Sequence, residues 1–214
     1  MPNPHAPLVV DLCGTLIAEN TTNDFIDNWL HLSPWRRRLR SLSRGKRPVS
    51  VLALRGLTRQ VLETEATNYV RDRLASRANL MVIEAIGAAR IQGANIYLAT
   101  ASLDCIANAV RNQLRLDGVI TAQLGYDRRG RCTGFFAVDT TGRKLRHLHR
   151  LLTEEQLRQA TLYTDNREDL ELLRYVAHPR FLGARCDLAR LTNEEADRIE
   201  FLPTIMPEIG NAVR

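Results

Sequence analysis

Three short apolar runs, each closed by small polar or acidic residues, constrain this chain more than any other feature. Leu8-Val9-Val10-Asp11-Leu12 ends at Gly14-Thr15, Asn95-Ile96-Tyr97-Leu98-Ala99 at Thr100-Ala101-Ser102, and Ala160-Thr161-Leu162-Tyr163-Thr164 at Asp165-Asn166. Runs this short and continuously apolar suit strands buried on both faces, the condition of a parallel sheet covered by helices. Helical patterns lie between them: Leu80, Ile83, Ile86 and Ala89 recur at helical spacing, as do Ile106, Val110 and Leu114. Thr153 with Gln156, and Thr192 with Glu195, have capping-box spacing and mark the starts of two later helices. The alternation predicts an α/β fold, a doubly wound parallel sheet with helices on both faces.

Two stretches depart from the alternation. Around Tyr126 to Phe136, half-apolar runs flank Arg128-Arg129-Gly130, which predicts a short β-hairpin. From Glu19 to Asn79 the apolar residues fall mostly at helical intervals, broken by Pro34, Gly45, Pro48 and Gly56, which predicts a small helical cap insertion. The expected organisation is an α/β core built from residues 1–18 and 80–214 with the cap at 19–79. A length of 214 residues suits one core with an elaboration better than two independent domains.

Open α/β sheets bind ligands beyond the carboxyl ends of their strands, and Asp11, Thr100 and Asp165 stand at three such ends. A carboxylate nucleophile, a hydroxyl donor and a second carboxylate suit phosphoryl transfer assisted by a hard divalent cation. Lys144, ahead of a predicted helix, supplies a fixed positive charge. Taken singly, each has a plainer reading: Asp11 as a turn residue, Thr100 as a helix cap, Lys144 as a solvated charge. Only the set points to chemistry.

The set also resembles a known family. Asp11-Leu12-Cys13-Gly14-Thr15-Leu16 resembles the first motif of the haloacid dehalogenase-like phosphatases. Thr100 resembles the second, Lys144 the third, and Asp165-Asn166-Arg167-Glu168-Asp169 the fourth, in that order. Leu124-Gly125-Tyr126 through Arg131-Cys132-Thr133-Gly134-Phe135, followed by Gly142-Arg143-Lys144, further resembles the phosphoserine phosphatase-like subgroup, in which a hairpin precedes the motif lysine. The resemblance spans roughly Leu8 to Leu191 and matches least well in the cap. It implies a Rossmann-like core and a Mg²⁺-dependent phosphohydrolase in which Asp11 attacks phosphorus to form an aspartyl-phosphate. Mg²⁺ would be held by Asp11, the backbone carbonyl of Cys13 and Asp165, with Asp169 in support. Thr100, Ala101 and Lys144 would bind phosphate oxygens, and Gly14 would let the backbone approach the phosphate closely.

Cys13 is the main departure. The family places its general acid/base there, a second Asp that protonates the leaving oxygen and later activates water, worth ~10²–10⁴-fold in rate. A thiol, with a reference pKa of about 8.5, serves both roles poorly. The alternative is therefore a catalytically impaired module that binds phosphate or an anionic membrane. Thr164 for the family's Gly and Asn166 for its Ser are smaller changes, expected to tune the site only.

Nine Arg or Lys and no Asp or Glu fall between Arg36 and Arg59. One reading is a basic amphipathic helix carrying Trp29, Leu30, Trp35, Leu39 and Leu42 against an anionic membrane, with a lipid-linked or otherwise polyanionic phosphate as substrate. The plainer reading is a solvated face whose arginine stems cover apolar surface. Nucleic acid is disfavoured because no nucleic-acid motif accompanies the block. Four cysteines without a CxxC pair argue against both a zinc site and a disulfide framework. With no leader-like start and no membrane-length apolar run, a cytoplasmic location is expected, with peripheral membrane contact through the basic block. The lack of a GxSxG elbow sets aside a serine hydrolase.

Overall fold

The computed structural model describes residues 5–43, 46 and 49–204. The seven strands are β1 (Leu8–Val10), β2 (Ile96–Leu103), β3 (Gly118–Tyr126), β4 (Cys132–Val138), β5 (Thr161–Thr164), β6 (His178–Leu182) and β7 (Glu200–Leu202). They form one sheet in the order β4-β3-β2-β1-β5-β6-β7. Every neighbouring pair is parallel except β3 with β4. β1 lies in the middle, with Val10 in register with Leu98 on one side and Tyr163 on the other. The chain winds outward from β1 through β2 and β3, then returns to β5 beside β1 and winds the other way. That reversal makes the carboxyl end of β1 the switch point where such sheets open a crevice.

Alternation along β1 sends Leu8 and Val10 into one apolar cluster and Val9 into the other, so both faces of the sheet are covered. The hairpin falls where expected. Asp127 N donates to Arg131 O at 2.9 Å, and Gly130 takes φ +68°, a conformation glycine adopts without a Cβ penalty.

Between β1 and β2 the chain is helical. α1 (Thr21–Asp24) runs into a π-helical turn at Phe25–Trp29, followed by α2 (Pro34–Ser43), a 3-10 segment at Val49–Leu54, α3 (Arg59–Ser76) and α4 (Leu80–Ile91). Phe25, Ile26, Val51, Leu54, Leu62 and Tyr69 of this stretch are fully buried in the same cluster as Leu8 and Val10. α5 (Asp104–Leu114) follows β2 and packs against α3. α6 (Lys144–Leu148), α7 (Glu154–Gln159), α8 (Leu170–Tyr175) and α9 (Asn193–Asp197) follow the hairpin. Both expected capping boxes form, at Thr153 with Gln156 and at Thr192 with Glu195.

The basic block differs from its expected form. Trp29, Leu30, Trp35, Leu39 and Leu42 do not share one helix: the π turn closes at Leu30 and α2 starts at Pro34, because the chain before a proline is pushed out of the helical region. Trp29 instead stacks edge-on against Tyr69 and donates its Nε1–H to Glu65. Three arginines of the block are engaged within the protein. Arg36 donates to the carbonyls of Ala53 and Arg55, Arg37 to that of Leu32, and Arg40, only 4% exposed, pairs with Asp27. Arg44, Gly45, Arg47 and Pro48 lie outside the described residues. Among the described residues no helix is long and apolar enough to cross a membrane, and all four cysteines are free thiols.

Candidate active site

The loop after β1 is short and tightly bonded. Leu16 N and Ile17 N both donate to Leu12 O, and Gly14 N donates to Ile17 O at 2.7 Å. Gly14 sits at φ +74°, and a Cβ there would collide with the Asp165 carboxylate, so position 14 must lack a side chain. Thr15 locks the same contact from the other side: its hydroxyl donates to Asp165 Oδ1 at 2.8 Å and accepts from Asp165 N at 2.9 Å. The β1 loop and the β5 end are thereby clasped together.

Asp11 is anchored at the head of this loop by its N–H to Tyr163 O at 2.9 Å. Its Oδ1 accepts the Leu12 N–H at 2.7 Å, and its Oδ2 meets Lys144 Nζ at 2.8 Å. Lys144 also meets Asp169 Oδ2 at 2.7 Å, and Thr164 donates its hydroxyl to that oxygen at 2.7 Å. Burial pushes the Asp11 carboxyl up, to about 6, against the pull of the Lys144 charge. Burial raises Asp165 as well. For Lys144 burial works against the charge, but Asp11 and Asp169 outweigh it and hold the ammonium well above its ordinary range.

A cleft of about 560 Å³ opens over these groups, a size that suits a small organic molecule. Asp11, Cys13, Thr100, Ala101, Lys144 and Asp165 all line it, so the residues just past β1 and β5, Thr100 of β2 and the lysine do meet. Asp169 does not line it; it lies behind Lys144 and fixes it. Thr100 is buried inside β2, which runs on to Leu103 past the Ala99 where its regular pairing with β3 shifts; its Oγ1 accepts the Ser102 N–H at 3.1 Å and its carbonyl accepts the Thr140 hydroxyl at 2.9 Å. That leaves the Thr100 hydroxyl proton available to an oxygen in the cleft. Cys13 Sγ sits 3.1 Å from Thr21 Oγ1, which is 2.7 Å from Ser102 Oγ. Burial, and then the charge of Asp11, raise the Cys13 thiol above its usual value, so it stays protonated at neutral pH.

Mg²⁺ can be tested against these residues. Asp11, Asp165 and Asp169 carry three negative charges in a buried site, and Lys144 cancels one of them. A divalent cation would balance the rest. The carboxylates of Asp11 and Asp165 line the cleft, and oxygen donors of this kind suit a hard cation that keeps several waters. Among the described residues no group of three or more His, Cys, Asp or Glu side chains encloses a metal position. The oxygen chemistry of the two cleft carboxylates fits Mg²⁺.

Several groups in the cleft escaped the sequence analysis. Asn20, Thr22, Asn23 and Ser50 line it from the stretch between β1 and β2, and Thr15 and Thr164 fix the Asp165 and Asp169 carboxylates. Small polar residues carry no signal of their own. Thr15, inside the first motif, and Thr164, marked as a departure beside the fourth, were the two with a context in the sequence.

Against known proteins, the sequence model of the haloacid dehalogenase-like hydrolase family matches residues 8–174. No curated protein matches the chain. Among solved structures, a protein with unknown function from Bordetella pertussis Tohama I superposes at TM-score 0.73 with 16% identity, over 93% of this chain and 98% of that one. A phosphoserine phosphatase in its apo form gives 0.63 and 16%, over 98% and 99%. A phospho-aspartyl intermediate analogue of phosphoserine phosphatase gives 0.59 and 15%, over 94% and 93%. Identities this low carry the fold alone.

Proposed function

The chain belongs to the haloacid dehalogenase-like hydrolases, and on that premise we propose that it is a Mg²⁺-dependent phosphohydrolase with Asp11 as its covalent nucleophile. The observation that carries this reading is the placement of Asp11: a buried carboxylate at the switch point, oriented by Leu12 N–H and Lys144, with Asp165 beside it in one cleft. The family's phosphatases generally use Mg²⁺, and a solved relative of the same fold is a phospho-aspartyl intermediate analogue.

In the first step a carboxylate oxygen of Asp11 bonds to phosphorus as the bond from phosphorus to the leaving oxygen breaks. The electron pair departs with that oxygen, which takes up a proton. Water then attacks the aspartyl-phosphate, releasing orthophosphate and restoring Asp11. Thr100 and Lys144 hold phosphate oxygens, where a fixed donor and a cation stabilise charge without reorganising. Asp11, Asp165 and the Cys13 carbonyl would hold Mg²⁺, which when bound neutralises phosphate charge and aligns the group for in-line transfer. The insertion over residues 19–79 acts as the cap whose residues close the leaving-group end. Cys13, in the general acid/base position, donates a proton weakly, so the chemical step is slower on alkyl esters than on aryl or acyl phosphates, whatever their relative affinities.

The test is phosphate release from an aryl phosphate and from acetyl phosphate with Mg²⁺. The natural protein turns both over, Asp11→Asn loses ~10³-fold or more, and Cys13→Asp gains ~10–100-fold on alkyl phosphates. If the natural protein and Cys13→Asp are both inert while phosphate still binds, the impaired binding module takes the place of the enzyme.

A second reading rests on α2. Trp35, 53% exposed, the exposed Arg38, and Leu42, 72% exposed, follow one another at helical spacing and form one outward stripe. We propose that this stripe touches anionic membrane. Flotation with phosphatidylserine vesicles but not with phosphatidylcholine vesicles, lost in Trp35→Ala/Leu42→Ala, is expected; equal behaviour with both lipids sinks the idea. A lipid-linked substrate belongs to the same reading.

A further inference from the structure

The leaving-group end of the cleft has a chemistry that the phosphate end does not explain. Asn20, Thr22, Asn23 and Ser50 line it from the insertion, and none carries charge. The two amides are held by their oxygens. Asn20 Oδ1 accepts the Asn23 N–H at 3.0 Å, capping α1, and Asn23 Oδ1 accepts Arg40 Nη2 at 2.6 Å. With both oxygens engaged, the open end of each amide is its NH₂ group, for which no protein acceptor occurs among the described residues. Thr22, whose hydroxyl lies 3.2 Å from Ser102 Oγ, and Ser50 line the same cleft, and a hydroxyl can donate and accept at once.

Arg40 makes this end neutral as well as ordered. Its guanidinium is bonded to Asn23, but it is buried and turned to Asp27, with Nε on Oδ1 at 2.7 Å and Nη2 on Oδ2 at 3.1 Å. Its Nη1 donates to Ser50 O at 2.9 Å. One buried residue therefore positions both Asn23 and Ser50 while its own charge is cancelled. The other charged residues of the cleft offer nothing to an extra anion. Lys144 is held by Asp11 and Asp169, Arg167 pairs with Asp187, and Asp165 and Glu168 are acidic.

We propose that the cleft selects phosphomonoesters whose leaving group is an uncharged, hydroxyl-rich molecule of the polyol, sugar or nucleoside type. This rests on the phosphohydrolase reading for the phosphate end alone. Amide NH₂ groups meet the lone pairs of such oxygens, and Thr22 and Ser50 exchange hydrogen bonds with their hydroxyls. Among the described residues that line the cleft, a carboxylate or second phosphate on the leaving group would meet no cation without an acidic partner, and Asp165 and Glu168 line the same cleft. Asn20, Thr22, Asn23 and Ser50 determine specificity, and Arg40 is a positioning residue.

The experiment measures two things separately. Affinities of Asp11→Asn, with Mg²⁺, are determined by titration calorimetry for glycerol 1-phosphate, glucose 6-phosphate and a nucleoside 5′-monophosphate, against phosphoserine and 3-phosphoglycerate. Aryl phosphate hydrolysis by the natural protein runs in parallel. At least one neutral-leaving-group ester is expected to bind about tenfold or more tightly than both charged ones, and adding Asn23→Ala to shrink that ratio about fivefold, the value of one hydrogen bond. Adding Arg40→Met is expected to shrink it too; adding Arg40→Lys, which keeps the charge without the fork, restores only part. Equal or tighter binding of phosphoserine or 3-phosphoglycerate overturns the proposal, whatever the hydrolysis shows. Failure to hydrolyse aryl phosphate while the binding preference holds overturns the enzyme reading instead.

Discussion

Lys144 holds two carboxylates at once, Asp11 at 2.8 Å and Asp169 at 2.7 Å, with all three side chains almost fully buried. An arrangement of this kind is asymmetric: the intact set is near balance, but removing one partner strands charge away from water. Lys144→Met leaves two buried carboxylates facing each other, one of which must bind a proton. We predict a loss of about 3–5 kcal/mol in stability, read as a lower urea midpoint. The same variant loses ~10²–10³-fold or more in phosphate release, because the fixed cation at the phosphate is gone. Asp169→Asn is expected to cost less in activity than Lys144→Met, since it frees Lys144 without removing its charge. Equal losses in the two variants would show that Lys144 acts only through folding. That Asp11, Thr100, Lys144 and Asp165 come together in one cleft was foreseeable from the sequence, because apolar runs and the order of polar residues after them are local properties. Thr15 was read only as part of a motif, and Asn23 not at all. Their work is done on Asp165, 150 residues from Thr15, and through Arg40, 17 residues from Asn23, and no local pattern encodes such contacts.

Among the elements, the sheet, the hairpin and both capping boxes followed from spacing, since each depends on residues within a few positions of one another. The single amphipathic helix through Trp29 and Leu42 did not, because apolar periodicity continued across a break imposed by Pro34 and a π turn. What fixes that turn is tertiary. Asp24, at the end of α1, bonds Arg73 of α3 at 2.7 Å and accepts from Asn28 at 2.8 Å. Burial alone would raise the Asp24 carboxyl, but the bonds from Arg73 and Asn28 outweigh it and hold it below its usual value. A carboxylate whose folded pKa is depressed contributes stability that is fully present above its unfolded pKa, about 3.9. That contribution fades as pH falls through the lower folded value. Asp24→Asn should therefore be less stable than the natural protein at pH 7, with the gap narrowing below pH 4. Urea midpoints at pH 7, 4 and 3 check this; a gap that stays constant across the range would show that Asp24 acts by packing and not by charge.

At the scale of the whole molecule, residues 19–79, proposed above as the cap insertion, share a continuous core with the sheet. Phe25, Ile26, Val51, Leu54 and Tyr69 are buried in one cluster with Leu8, Val10 and Leu98, and α3 packs on α5. A unit that shares its core cannot unfold while its partner keeps its buried surface, so the cleft between them is defined by a single folding event. Both tryptophans of the chain, Trp29 and Trp35, lie in the insertion. Their fluorescence reports the insertion, whereas far-UV ellipticity reports every helix and strand. We predict that the two signals follow one urea transition with the same midpoint and slope. Leu54→Ala, which empties a fully buried position of the shared cluster, should move both curves together by about 2–5 kcal/mol. If fluorescence changes at lower urea than ellipticity, or if Leu54→Ala moves the fluorescence curve alone, the insertion unfolds on its own and the cleft opens before the sheet does.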